Sequence, residues 1–453
     1  MADATTRAQN LKSAVEAARL RYVQNNSISA ALHEEATRTL PGGNTRTVLH
    51  ASPFPIYMKS GRGYQVTSED GQTDEGNRSE SHQPNSFTDF TCEFTAALYG
   101  HSRPELQAAI AHVVQDIGMN VGATTRQETI FAQELCRRFG LERVRFANSG
   151  TEANLHALAA ARLFTGRRKV VVFAGGYHGG VLGFAGGKPA ANNVDVEDWI
   201  VATFNDLDSA TKAIRTEGVA AVLVEGMQGA GGCFPAKVDF LKGIQEAAKQ
   251  AGVLFILDEV MTSRMSAGGL AHMHGLEPDL KTFGKWLGGG LAFGAFGGRA
   301  DIMAAFDPRL GGSVSHSGTF NNNTLVTHVG HTGMTKLYTM QNADLFTAVG
   351  DKFRDRLNDV TGGTKLCFTG IGTVMAVHTP LDGTREILRG GEVDECDDLR
   401  ELFWFEMIEH GFWFARRGLM ALIWETPEAE LERFVSAVKK FVSDHAEHVA
   451  LAS

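Results

Sequence analysis

One run of the chain sets a lysine among glycines: Lys281-Thr-Phe-Gly-Lys285-Trp-Leu-Gly-Gly-Gly290. Upstream of it, the apolar run Val253-Leu-Phe-Ile-Leu-Asp258-Glu259-Val260 reads as a strand that closes on two acids. A lysine amine can add to an aldehyde and form a Schiff base, and a carboxylate at a strand end can pair with a protonated ring nitrogen. These are the two demands of pyridoxal phosphate chemistry. Desolvation and neighbouring positive charge would lower the Lys285 pKa towards a useful nucleophile and base, and an ionised Asp258 would keep the ring nitrogen protonated. Each piece alone is ordinary, a loop lysine and a polar turn, so the reading depends on the other pieces and their order.

Asn148-Ser149-Gly150-Thr151-Glu152-Ala153-Asn154 follows a strand-like run and opens a helix-like one. Small hydroxyl residues and a glycine there leave backbone N–H groups free at the positive end of a helix, a site for a phosphate. The same residues also make an ordinary helix cap. Gly175-Gly176-Tyr177-His178-Gly179-Gly180 puts an aromatic ring between glycines, where it can stack on a flat ligand. His178 beside it can donate a hydrogen bond within the site or lie idle on the surface. In Val222-Leu-Val-Glu225-Gly226-Met227-Gln228-Gly229 an acid stands at the carboxyl end of a strand, the rim where open α/β sheets bind ligands. His316-Ser317-Gly318-Thr319-Phe320-Asn321-Asn322-Asn323 is a polar loop suited to an anion. Arg46 follows the break Pro41-Gly42-Gly43-Asn44 and, taken alone, is a loop charge.

The elements that must position these groups alternate. Strands are expected at Val144–Ala147, Lys169–Ala174, Ala220–Glu225, Val253–Leu257 and Phe293–Gly298, with helices such as Ala153–Phe164 and Phe240–Ala251 between them. Such alternation predicts an α/β fold with a mostly parallel sheet covered by helices on both faces. The strands are continuously apolar, as strands buried on both faces are. Apolar spacing from Leu11 to Leu40 predicts two short amphipathic helices, Pro55–Val66 reads as a hairpin, and Pro427–His448 reads as a helix. Gln72–Ser86 holds no aliphatic or aromatic side chain and reads as an exposed insertion. At 453 residues the chain exceeds one hydrophobic core. We expect an N-terminal segment (1–86) packing with a smaller α+β domain (331–453), and a large cofactor-binding domain between them (87–330).

A net charge of -9 with no long basic run argues against nucleic acid or an anionic membrane as the main partner. The five cysteines are scattered without a CxxC pair, and the start has no apolar leader. Those features predict a reduced cytoplasmic protein with no metal site.

The order of these pieces closely resembles the class III aminotransferases, pyridoxal phosphate enzymes of fold type I. The matching runs are Asn148–Asn154, Gly176–Gly179, Asp258–Arg264, Phe283–Gly290 and Gly318–Asn323. Gly42-Gly-Asn-Thr-Arg46 and Glu259-Val-Met-Thr-Ser-Arg264 resemble the branch of β-amino acid (β-phenylalanine) aminotransferases and glutamate-1-semialdehyde aminomutase. The resemblance implies Lys285 as the Schiff-base lysine and Asp258 as the partner of the pyridine nitrogen. It implies Ser149, Gly150 and Thr151 at the phosphate and Tyr177 stacked on the ring; Glu225, which could also be a structural carboxylate, and Val260 are further expected cofactor contacts. It further implies a homodimer with shared active sites, in which Thr319 reaches the neighbouring subunit's cofactor. Arg46 and the pair Arg416-Arg417 match the places where β-amino acid aminotransferases hold substrate carboxylates. Either member of the pair can face inward. The insertion 72–86 departs from the family pattern, where this connection is short. The activity so implied is transfer of an amino group from an aromatic or aliphatic β-amino acid to a keto acid such as 2-oxoglutarate or pyruvate. The alternatives are an aminomutase of the glutamate-1-semialdehyde type and an amine aminotransferase.

Overall fold

The structure, a computed structural model, describes residues 2–70 and 85–451. Its centre is a seven-stranded sheet of β1 (Arg143–Ala147), β2 (Lys169–Phe173), β3 (Trp199–Ala202), β4 (Val219–Glu225), β5 (Leu254–Asp258), β6 (Leu280–Gly284) and β7 (Gly294–Gly298). The spatial order is β1-β7-β6-β5-β4-β2-β3. β7 runs antiparallel to both its neighbours and the rest are parallel.

Alternation along each strand explains why both faces are covered. Val171, Phe173, Val222, Val224, Phe255 and Leu257 pack with Phe240, Leu241 and Ile244 of the helix Val238–Ala251. The intervening Val170, Val172, Ala221, Leu223, Leu254 and Ile256 pack with Ala153, Ala157 and Leu158 of the helix Gly150–Thr165. Side chains of a strand point alternately to its two faces, so a continuous apolar run needs a helix on each.

Outside this sheet, Met58–Arg62, Gln65–Ser68, Ser86–Asp89 and Phe412–Trp413 pair in that order in a four-stranded sheet. Cys367–Ile371, Val374–His378 and Leu419–Ala421 form a three-stranded one. The helix Ala2–Asn25 lies against the helix Asp397–Glu409, with Tyr22 packed on Trp404 and Phe405. Chain start and chain end therefore share one apolar cluster.

Two expectations are corrected and two unexpected strands appear. The first helix starts at Ala2 rather than near Leu11. Leu280–Gly284 is a strand outside the expected set, so Lys281 lies in the sheet; its buried amine donates to the Phe139 carbonyl (2.7 Å). Trp199–Ala202 is an edge strand that the apolar pattern did not reveal. Ser86 opens a strand, while 72–84 of the expected insertion lie outside the described residues. No described helix is long and apolar enough to cross a membrane.

Candidate active site

Five of the sequence motifs meet at one edge of the central sheet. Asn148–Thr151 follows β1, Gly175–His178 follows β2, Glu225 ends β4, Asp258 ends β5 and Lys285 follows β6. All five strands are parallel, so these are all carboxyl ends, the rim at which open α/β sheets hold ligands.

The Lys285 amine donates to the Phe94 carbonyl (2.7 Å). Burial lowers its pKa to about 8; Asp258 and Glu225 oppose that shift and Arg417 adds to it. The backbone of Lys285 is left-handed (φ 55). A lysine rarely adopts that conformation, and here it turns the chain sharply out of β6 into the short helix Lys285–Gly288.

Asp258 is 5% exposed. Its Oδ2 accepts from Asn154 Nδ2 (2.9 Å) and pairs with His178 Nδ1 (2.7 Å); its Oδ1 accepts from Val260 N (3.0 Å). Burial alone would lower the His178 pKa, but the hydrogen bond and charge of Asp258 raise it. Asn154 also donates to the His178 carbonyl (2.9 Å) and accepts from Thr282 Oγ1 (2.7 Å), tying the helix to β6. The sequence motif contains Asn154 without marking this role. The available signal was spacing: Gly150, Ala153, Asn154 and Ala157 share one helix face.

Ser149 caps the helix Gly150–Thr165, its hydroxyl accepting from Glu152 N (3.2 Å). The N–H groups of Gly150 and Thr151 have no partner within the helix, as at every helix start. Gly150 must be glycine, because a Cβ there would meet both Val260 methyls at 2.9 Å. Thr151 packs against Gly179 (φ 137), which admits no side chain in that place. The Tyr177 ring is half exposed, and its backbone N–H donates to Glu225 Oε1 (2.9 Å). Glu225 Oε2 accepts from Gly229 N (3.3 Å), and burial pushes this carboxyl up to about 7.

That last shift gives a stability prediction. Folded Glu225 holds its proton to higher pH than the unfolded chain, so its burial costs stability as pH rises from about 4.5 to 7. The cost is fully developed above that window and reaches on the order of 3 kcal/mol. Cofactor-free Glu225→Gln should therefore lose less thermal stability than wild type between pH 5 and 7.5. Parallel melting curves against pH would defeat this account.

The arginines divide. Arg416 pairs with Glu401 and stacks on Trp404 and Phe405. Arg417 is exposed and lies over Phe94 (5.7 Å to the centroid), and among the described residues no carboxylate pairs with it. Arg46, from the other end of the chain, lies over the same ring (5.8 Å) and pairs with Glu93 (2.7 Å). No motif pointed to Glu93 or Phe94. Thr319 is exposed in the loop before the helix Thr324–Thr332; that loop reaches the phosphate motif through Asn148 Nδ2 donating to Asn321 Oδ1 (3.0 Å).

Comparison with known proteins agrees with this arrangement. The family described as aminotransferase class-III matches residues 60–422. An uncharacterized aminotransferase of Schizosaccharomyces pombe is 44% identical, covering 96% of each chain. The beta-phenylalanine transaminase of Variovorax paradoxus is 42% identical over 94% of this chain and 95% of its own. The crystal structure of a beta-phenylalanine aminotransferase from Variovorax paradoxus superposes with a TM-score of 0.91 at 40% identity, covering 98% of this chain and all of that one. The chain belongs to the class III aminotransferases. It is a pyridoxal phosphate-dependent transaminase of fold type I. The residues at the rim suit that cofactor chemically: free helix-start N–H groups for a phosphate, a buried carboxylate for a ring nitrogen, and an amine of lowered pKa.

Proposed function

We propose that this transaminase takes the amino group of a β-amino acid and delivers it to a keto acid such as 2-oxoglutarate or pyruvate. The observation that carries the reading is the pair of guanidiniums around Phe94, one of them without a carboxylate partner among the described residues, near the Lys285 amine. Arginine holds a carboxylate through two parallel hydrogen bonds, so an exposed one with no carboxylate partner among the described residues suits an acid substrate. The likeness to a beta-phenylalanine transaminase supports the same donor class.

In this reading Lys285 binds the cofactor and then moves a proton between substrate carbon and cofactor carbon. Bound pyridoxal phosphate supplies an electron sink as long as its ring nitrogen stays protonated. Asp258 maintains that charge state, and Asn154 and His178 fix Asp258. Ser149, Gly150 and Thr151 hold the phosphate; Tyr177, Val260 and Glu225 line the ring site. Arg417, rather than Arg416, faces the substrate, because Glu401 and two aromatic rings already occupy Arg416. Residues 87–330 form the cofactor-binding domain, and the described residues 2–70 pack with 331–453.

We place the enzyme as a homodimer with Thr319 serving the neighbouring site. In support, Thr319 is exposed and Phe320 beside it is 55% exposed. Met119 and Val121 are exposed as well, in a segment bonded to Thr324 and Asn322.

The test is single-turnover kinetics, with donor on the aldehyde form and keto acid on the amine form. A β-amino acid carries its carboxylate one carbon further from the amine than an α-keto acid carries it from the carbonyl, so one fixed arginine cannot serve both. Arg46→Ala and Arg417→Ala should damage the two half-reactions unequally, each by about 1.5–3 kcal/mol in the half it serves. Equal losses in both halves, or turnover of uncharged amines alone, would leave an amine aminotransferase instead. Turnover of the donor with no keto acid added would point to an aminomutase.

A further inference from the structure

Glu93 has no assigned role, yet its place is tightly specified. It belongs to the run Cys92–Thr95, four successive non-glycine residues with left-handed backbone (φ 49, 46, 53 and 79). Such residues persist there only where the surroundings hold them. Asp89 Oδ1 accepts from Thr91 N (2.7 Å) and Cys92 N (3.0 Å), and Asp89 Oδ2 pairs with His101 Nε2 (3.0 Å). Arg264 Nη1 donates to Cys92 Sγ (3.6 Å), and Lys285 donates to the Phe94 carbonyl. This scaffold delivers the Glu93 carboxylate to Arg46 Nη1 (2.7 Å) and, among the described residues, leaves Arg417, over the same phenyl ring, without one.

We infer that Glu93 is a specificity-determining residue, a carboxylate of the chain itself that occupies Arg46 until a substrate carboxylate replaces it. The inference rests on the reading above that Arg46 receives a substrate acid. The two guanidiniums then differ in what they ask of a ligand. Arg417 is open, whereas Arg46 must be released from Glu93, and the incoming acid must also tolerate the negative charge beside it. Neutral ligands meet neither demand. The Arg46 and Glu93 side chains are 45% and 51% exposed, so the pair is wet and exchange is easy. Exposed pairs of this kind correspond to a factor of about two to five in an equilibrium constant.

The experiment measures inhibition of the holoenzyme by 3-phenylpropanoate, which has the carboxylate but no amine, and by its neutral isostere 3-phenylpropanamide. Wild type, Glu93→Gln, Arg46→Ala and the double variant are compared, each with its cofactor absorbance and melting temperature as folding controls. Glu93→Gln should tighten the acid about two- to five-fold and leave the amide unchanged, and the gain should vanish when Arg46 is alanine. Glu93→Asp, which keeps the charge on a shorter arm, should gain less than Glu93→Gln. If Arg46→Ala weakens the acid but Glu93→Gln does not tighten it, the competitor role is wrong and the Arg46 reading stands. If Arg46→Ala leaves the acid unaffected in both backgrounds, the Arg46 reading fails and this inference with it. Equal gains for acid and amide would make Glu93 a shaper of the pocket only.

Discussion

Lys285→Ala is expected to lower turnover by at least about 10⁴, the upper end of what one positioned proton-transfer group contributes, because this residue also attaches the cofactor. Structural damage should not account for the loss. The amine makes one hydrogen bond, to the Phe94 carbonyl, and its burial is unfavourable to the charged form, as the pKa lowered to about 8 records. The cofactor-free variant should therefore melt close to wild type. Lys281 is the rival attachment point by sequence alone. It is only 8% exposed, donates to the Phe139 carbonyl (2.7 Å) and feels the Glu259 carboxylate, all marks of a structural role in β6. Borohydride reduction of the holoenzyme followed by peptide mapping should fix the cofactor on Lys285. A label on Lys281, or wild-type turnover in Lys285→Ala, would overturn the assignment.

The contrast between these two lysines shows what the sequence could and could not reveal. The strand-end pieces were legible because their chemistry is local. A capped helix start, a glycine-flanked ring and an acid closing an apolar run are each contained in fewer than ten residues, and a parallel sheet then gathers all carboxyl ends on one rim. β6 is not legible in the sequence because its Lys281 and Thr282 interrupt the apolar pattern; both are buried and satisfied by distant partners, Phe139 and Asn154. The choice between Arg416 and Arg417 was unreadable for a similar reason. Trp404, Phe405 and Glu401, on a helix elsewhere in the sequence, capture one of two adjacent arginines. Glu93 and Phe94 left no signature, since a left-handed run of ordinary residues is imposed by tertiary contacts rather than by glycine.

Asp258→Asn is expected to keep the cofactor and lose most turnover, by about 10²–10³, equivalent to roughly 2–4 kcal/mol of barrier. The surroundings of Asp258 explain why an amide cannot replace it. Three donors converge on the carboxylate: Asn154 Nδ2, His178 Nδ1 and Val260 N. An asparagine there has one acceptor oxygen and would turn its own N–H groups towards at least one of those donors. It also removes the charge that raises the His178 pKa, so burial would then prevail and His178 would lose its proton more readily. The sign of the pH effect follows. A histidine with a raised folded pKa adds stability below its unfolded pKa of about 6.5, and that stability is lost as pH rises through the folded value. Wild type should lose this increment across that window, and Asp258→Asn should show none of it. Asp258→Glu, which keeps the charge at a shifted position, should recover part of the turnover. Cofactor content by absorbance, turnover and melting temperature against pH decide the matter together. Near wild-type turnover in a cofactor-loaded Asp258→Asn enzyme would mean that the buried charge is structural, and that its partnership with Asn154 and His178 serves only to close the end of β5.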